Sequence, residues 1–305
     1  GVMDKFDREK QQVVNIMSYP QLQLGEAAKN LKYRFQWVSP MAVSPHDDNE
    51  IYHGSQHVHR SKDGGNTWSV ISPDLSTNTP EHLEYSGGPI NHDITGVEIS
   101  NVVFDIVPSP HTAGEVWAGT DDGRIHITRD DGSTWQEITP PDMPKYGTVN
   151  KIELSAHNPG RALMAVQKYR FDDFAPYIFL TNDYGKSWKK LTNGKNGIPE
   201  NYPVRVVRED PDRKGLLYAG TEFGIFVSFD GGQNWQSLQI NLPVVPITDL
   251  RVHQKDLVLS TQGRSFWILD DITPLHELDS EIAKANVHLF APGRYTGFRP
   301  LVDEV

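Results

Sequence analysis

The apolar positions of this chain fall in short runs rich in Val, Ile, Phe and Tyr, separated by clusters of Gly, Asp, Asn, Ser and Pro. Such runs bounded by turn formers predict strands. Residues 1–7 and 11–16 alternate like two strands around the polar turn 8–10. A long connection, 19–36, follows, and 25–29 within it suits a short helix. Strand-like sets then recur: 41–44, 50–53 and 58–60; 102–107, 115–119 and 124–127; 151–154, 162–166 and 177–180; 204–207, 216–220 and 225–227; 247–252, 257–260 and 265–269. After the last set, Thr273-Pro274 predicts a helix over 275–285, with Thr273 as N-cap and Pro274 in the first turn. Residues 287–290 read as an outer strand behind it.

Four sets run into the same turn. Ser61-Lys62-Asp63-Gly64-Gly65-Asn66-Thr67-Trp68 returns at 128–135, 181–188 and 228–235, with the shared pattern Ser/Thr-x-Asp-x-Gly-x-Thr/Ser/Asn-Trp. Trp68, Trp135, Trp188 and Trp235 are 67, 53 and 47 residues apart, and a long Pro-, Gly-, Ser- and Asn-rich excursion, 74–98, accounts for the first interval. A repeat of roughly 40–50 residues is the period of a propeller blade, one four-stranded sheet per repeat. In each turn the Asp can accept bonds from backbone N–H groups, the Gly supplies positive φ, and the Trp opens the outgoing strand.

The predicted fold is therefore all-β: a β-propeller of four-stranded antiparallel blades. Residues 1–18 form a partial blade, and blades follow at 37–73, 99–140, 147–193 and 203–241. A fifth, 246–291, lacks the repeated turn, and 292–305 are a C-terminal extension. The inner partners of the first two strands do not precede them. Either the C-terminal end supplies them or the chain is part of a longer protein, which is the reading favoured here.

The phrases 118–124, 219–225 and 259–264 share a second pattern and mark the hairpin between the second and third strands of a blade. Antiparallel strands alternate direction, so these hairpins lie on the face opposite the repeated turns, where a propeller carries its ligand funnel. The hairpins and inter-blade connections of that face bring His57, Asp121, Asp122, Arg124, Tyr169, Arg170, Asp172, Glu222, Phe223, Gln262 and Arg264 to one mouth, with His92, Asp93 and Glu98. Asp93, Asp121, Asp122 and Glu222 are the candidate acid/base residues, because glycoside hydrolysis needs paired carboxylates flanking a cleft. His57, His92, Arg124, Tyr169, Arg170, Asp172, Phe223, Gln262 and Arg264 are candidate ligand contacts. Asp and Glu also populate turns for backbone reasons alone.

Composition narrows the classes. With 29 Lys and Arg against 40 Asp and Glu, the net charge of −11 disfavours non-specific nucleic-acid binding and anionic membranes. There is no cysteine, so no disulfide, thiol catalysis or thiolate-bound metal. No apolar stretch is long enough to span a membrane, and no signal peptide stands at Gly1. His57 and His59 share a strand face, where a metal pair is conceivable beside the plainer reading of surface histidines. No metalloprotease, EF-hand, P-loop or Gly-x-Ser-x-Gly pattern occurs, so no metal and no cofactor are expected.

The repeated turn is identified as the Asp-box, or BNR repeat, shared by sialidases, tandem-propeller xyloglucanases, sortilin-type receptors and photosystem assembly factors; it specifies fold and not activity. Together with 86–90, 117–123 and 263–275, nearly the whole chain resembles the sortilin-type propeller of large bacterial exported proteins usually labelled BNR-repeat glycosyl hydrolases. That resemblance implies a seven-bladed parent, other domains in a longer chain, and a secreted, periplasmic or cell-surface location. It names no catalytic residues. A sialidase's Phe-Arg-Ile-Pro segment and arginine triad are not found, and there is no complete second propeller to form a xyloglucanase's cleft. The expected function is a recognition module for a glycan, peptide or protein ligand. The alternative is a glycoside hydrolase acting on an extracellular polysaccharide, and a structural or assembly role is a third reading.

Overall fold

The computed structural model describes residues 2–85, 87, 95–279 and 281–291. Among these, six antiparallel sheets account for the strands. β1 (Asp4–Asp7) and β2 (Gln12–Asn15) form a hairpin. β3 (Met41–Val43), β4 (Ile51–Gly54), β5 (Val58–Ser61) and β6 (Ser69–Val70) form the first four-stranded sheet. The second holds β7 (Val103–Pro108), β8 (Val116–Thr120), β9 (Ile125–Thr128) and β10 (Gln136–Glu137). The third holds β11 (Thr148–Leu154), β12 (Ala162–Lys168), β13 (Asp173–Thr181) and β14 (Lys189–Lys190). The fourth holds β15 (Val204–Glu209), β16 (Leu217–Thr221), β17 (Gly224–Ser228) and β18 (Gln236–Ser237). A three-stranded sheet of β19 (Ile247–His253), β20 (Asp256–Thr261) and β21 (Phe266–Leu269) completes the set.

The first strand of each larger sheet is innermost: β3 meets β7, β7 meets β11, β11 meets β15 and β15 meets β19. Phe104, Asn150, Arg205 and Thr248 fall at a register shift near the start of their inner strands. A bulge of this kind re-aims one side chain without ending the ladder. Each sheet buries one face against the next. Tyr52, Trp117, Leu163 and Tyr218 occupy the same place on successive second strands and are fully buried. Their clusters join sheet to sheet through Ile106, Ile152, Val207 and Leu250 of the inner strands.

The repeated turns share one bonding scheme. Asp63 Oδ1 accepts from Ser61 Oγ at 2.7 Å and Thr67 N at 2.8 Å, and Oδ2 accepts from Thr67 Oγ1 at 2.7 Å. Asp130, Asp183 and Asp230 repeat this with Thr134, Ser187 and Asn234. The glycines Gly65, Gly132, Gly185 and Gly232 have φ of 91°, 87°, 78° and 89°. A Cβ on them would strike Ile16, Ile71, Ile138 and Leu191 of the preceding sheet. Those four residues in turn donate their N–H groups to Met3, Val58, Ile125 and Ile178. By this equivalence β1 and β2 stand where the third and fourth strands of a blade stand.

Two expectations are corrected at the C-terminal end. The helix is short: α1 spans Thr273–Glu277, and a 3-10 turn follows at Ile282–Lys284. Thr273 does not cap it, because its hydroxyl donates to Asp271 Oδ1 and the N-cap position is Ile272. Asp279 stops the helix from continuing, because its carboxylate accepts from Glu281 N and Ile282 N and starts the new turn. Residues 287–290 form no strand, so among the described residues the fifth sheet has three strands. The short helix in the first connection is a 3-10 turn, Ala28–Asn30.

Candidate functional site

The hairpins between second and third strands open onto a cleft of about 850 Å³. Trp37 comes from the connection before β3, His82 from the 3-10 turn Pro80–Leu83, and Asp121 from the β8–β9 hairpin. Tyr146 precedes β11, and Arg170 and Phe171 come from the 3-10 turn Tyr169–Phe171 between β12 and β13. Three rings run along one wall. His82 meets Tyr146 edge-on with centroids 4.9 Å apart, and Tyr146 stacks on Phe171 at 5.9 Å. Phe171 is 57% exposed and Trp37 64% exposed, although both are large apolar groups. Trp37 Nε1 donates to Glu98 Oε1 at 3.3 Å, which holds a carboxylate at the edge of the indole. Open aromatic faces with a few polar groups beside them are the usual composition of a ligand site.

The carboxylates of this face differ in what they do. Asp121 lines the cleft; its Oδ1 accepts from Val102 N at 2.8 Å. Burial pushes its pKa up to about 7, and the neighbouring Asp122 charge adds to the rise. Asp122 is saturated. Its Oδ2 accepts from Thr77 N, Thr77 Oγ1 and Asn101 Nδ2, each at 2.7 Å, and its Oδ1 from Thr120 Oγ1 at 2.5 Å. It ties the excursion after β6 to the β8–β9 hairpin. Glu222 accepts from Arg205 Nε at 2.5 Å, and Arg205 lies 5.6 Å from the Tyr169 ring, as does Arg170.

Asp121, Asp122 and Arg170 thus meet in one cleft, with Tyr169 beside Arg170. Arg124 turns instead to an adjoining shallow groove and donates to Ser76 O at 3.0 Å. Phe223 packs on Tyr202 with centroids 4.7 Å apart, on the next blade's hairpin. His57 is within 3.1 Å of Ser72 O and edge-on to Tyr33, outside the cleft lining. Asp172 is the exposed left-handed residue closing the Tyr169–Phe171 turn. Gln262 and Arg264 are exposed on the fifth sheet's hairpin. His92 and Asp93 lie outside the described residues. Trp37, His82, Tyr146 and Phe171 were not singled out from the sequence. The aromatic-basic run Tyr169-Arg170-Phe171 inside a hairpin was the one local signal for them.

The histidine pair does not converge on a metal. His59 Nε2 is within 2.8 Å of Ser55 Oγ and buried, while His57 bonds elsewhere. Among the described residues, Asp210, Asp212 and His276 place ligand-type atoms within 4.8 Å of one another. Asp210 is already occupied, by Asp212 N and Arg213 N on Oδ1 and by Tyr218 OH and His276 Nε2 on Oδ2. It anchors α1 to the fourth sheet. The inner strands carry a separate charge network in which Arg208 bridges Glu153 at 2.6 Å and Asp249 at 2.9 Å, and Lys151 pairs Asp105 at 3.1 Å.

Four Asp-box turns on four successive four-stranded sheets, with the first strand of each innermost, define an Asp-box β-propeller protein. The chain is a member of that class and resembles the sortilin-type propeller: the family model described as Sortilin, neurotensin receptor 3 (Sortilin-Vps10) matches residues 56–197, and the BNR/Asp-box repeat model matches residues 226–237. An oligoxyloglucan-reducing end-specific xyloglucanase of Emericella nidulans is 22% identical over 242 residues, covering 67% of this chain and 27% of that enzyme. A vacuolar protein sorting/targeting protein 10 of Pyrenophora teres f. teres is 32% identical over 79 residues, 26% of this chain and 5% of that protein. The GH74 xyloglucanase of Xanthomonas campestris superposes with a TM-score of 0.55 at 16% identity, covering 80% of this chain and 37% of that one. The chain therefore spans a minor part of each of these three relatives. Among the described residues no helix is long and apolar enough to cross a membrane.

Proposed function

We propose that this chain is the recognition module of an exported protein and that the aromatic cleft between its second and third blades binds a glycan. The observation that carries the reading is the exposed aromatic surface of Trp37 and Phe171, with the half-buried Tyr146 stacked on Phe171, around one cleft on the hairpin face. Sugar rings present flat C–H faces that pack on such rings, while hydroxyls reach the carboxylates at their edge. Two similar proteins are named xyloglucanases, which supports a carbohydrate over a peptide. The test is a glycan array followed by calorimetric titration of the best ligand, with xyloglucan oligosaccharides included. Trp37→Ala and Phe171→Ala are each expected to weaken binding about tenfold, or ~1.4 kcal/mol. An array with no glycan bound, or binding untouched by both substitutions, contradicts the reading.

Hydrolysis is the second reading, and one observation favours it. A general acid must hold its proton near neutral pH, and Asp121 titrates at about 7 inside the cleft. Glu98, lining the same cleft, is then the partner carboxylate. New reducing ends, measured by mass spectrometry and abolished in Asp121→Asn, are the expected signature of this reading. Binding without products leaves recognition alone.

A further inference from the structure

The charge of the cleft narrows the glycan class, and this inference rests on the glycan reading above. Among the described residues, five carboxylates line the cleft: Glu81, Glu84, Glu98, Asp121 and Asp122. Two are accounted for within the protein. Glu84 is paired with Lys29 at 2.6 Å, and Asp122 is saturated by neutral donors. Glu81, Glu98 and Asp121 form no ion pair among the described residues, and Arg170 is the one Lys or Arg in the described lining. Its guanidinium lies 5.6 Å from the Tyr169 ring.

We propose that the glycan taken by this cleft carries free amino groups, as in a glucosamine-type oligosaccharide. The two halves of the site then act on the two halves of the ligand. Trp37 and Phe171 offer faces to the sugar rings, and the same faces attract an ammonium through their negative quadrupole, while the Tyr146 ring already has Lys145 Nζ 4.8 Å from its centroid. Glu98 at the indole edge and Asp121 at the cleft wall accept from that ammonium. A ligand that covers a carboxylate without neutralising it deepens the desolvation cost, whereas a cation offsets it. A uronate-bearing glycan meets like charge on Glu81 and Glu98 and is disfavoured.

The experiment titrates the full chain with three oligosaccharides of equal length: glucosamine, N-acetylglucosamine and glucose oligomers with the same linkage. The glucosamine oligomer is expected to bind at least about tenfold more tightly than either neutral one, each charge contact in a partly desolvated site being worth that much or more. The advantage is expected to shrink in raised salt. Glu98→Gln and Asp121→Asn are expected to weaken the glucosamine oligomer more than the neutral ones, so that the ratio falls toward one, with circular dichroism reporting that the variants are folded. If a variant fails to fold, the wild-type ratio and its salt dependence still decide. Equal affinity for the three, or preference for a neutral one, overturns the amine inference and leaves the glycan reading standing. Binding of none of the three, together with an empty glycan array, overturns both.

Discussion

Gly197 has no room for a side chain. A Cβ there would sit 1.8 Å from Trp235 O, and its φ is 113°. Gly231 also has positive φ, 73°, but nothing lies within 4 Å of its Cβ position. The pair separates steric exclusion from backbone preference. Gly231→Ala is expected to cost about 1 kcal/mol, the left-handed penalty alone, and Gly197→Ala more than about 3 kcal/mol, read from urea midpoints. Asp121 gives a pH test. Its folded pKa is raised to about 7, so between its unfolded value and about 7 the native state binds more protons. Its contribution to stability therefore falls as pH rises through that window. Asp121→Asn is expected to remove that part of the slope, measured by denaturant unfolding at several pH values. An unchanged slope contradicts the assigned environment. The Asp-box carboxylates run the other way. Hydrogen bonds to Thr67 and Ser61 hold Asp63 at about 2, so what it contributes is present at neutral pH and lost in acid.

At the scale of the element, the repeated turn was legible because its chemistry is local. Asp, Gly and the hydroxyl act within eight residues, and the structure forms the same bonds four times. The indole hydrogen bonds of Trp135 and Trp188 were not, because their partners lie on the preceding sheet, whereas Trp68 Nε1 donates to Gly65 O of its own turn at 3.2 Å. Trp135 Nε1 donates to Ile71 O and Trp188 Nε1 to Ile138 O, each at 2.7 Å. The equivalent acceptor for Trp235 is Leu191 O, but Asn196 Nδ2 takes it at 2.8 Å, and Trp235 Nε1 is left buried without a partner. Trp188→Phe is therefore expected to destabilise about 1 kcal/mol more than Trp235→Phe, the worth of one hydrogen bond. Equal losses would mean that the indole N–H does not fasten one blade to the next. The predicted helix over 275–285 failed for a similar reason. Thr273-Pro274 announced a helix start, and Asp279 redirected the chain through its own side chain.

For the whole molecule, the sequence put Asp121, Asp122 and Arg170 on hairpins that the fold brings to one cleft, but did not reveal which carboxylates the fold occupies. Asp122 looked as free as Asp121, yet it is spent holding Thr77 and Asn101, residues brought near it only by the fold. Glu222 is likewise held by Arg205, which a bulge in β15 delivers. Trp37 and Phe171 lie in connections whose course no periodicity reveals, and they define the cleft. The proposed ligand site is this cleft, and not the Asp-box face or the axial charge network. Amide hydrogen exchange with and without the best array ligand tests it directly. The expected result is protection confined to segments around Trp37, Glu98, Asp121, Tyr146 and Phe171. Protection around Asp63, Asp130, Asp183 and Asp230, or along the inner strands near Arg208, would contradict it.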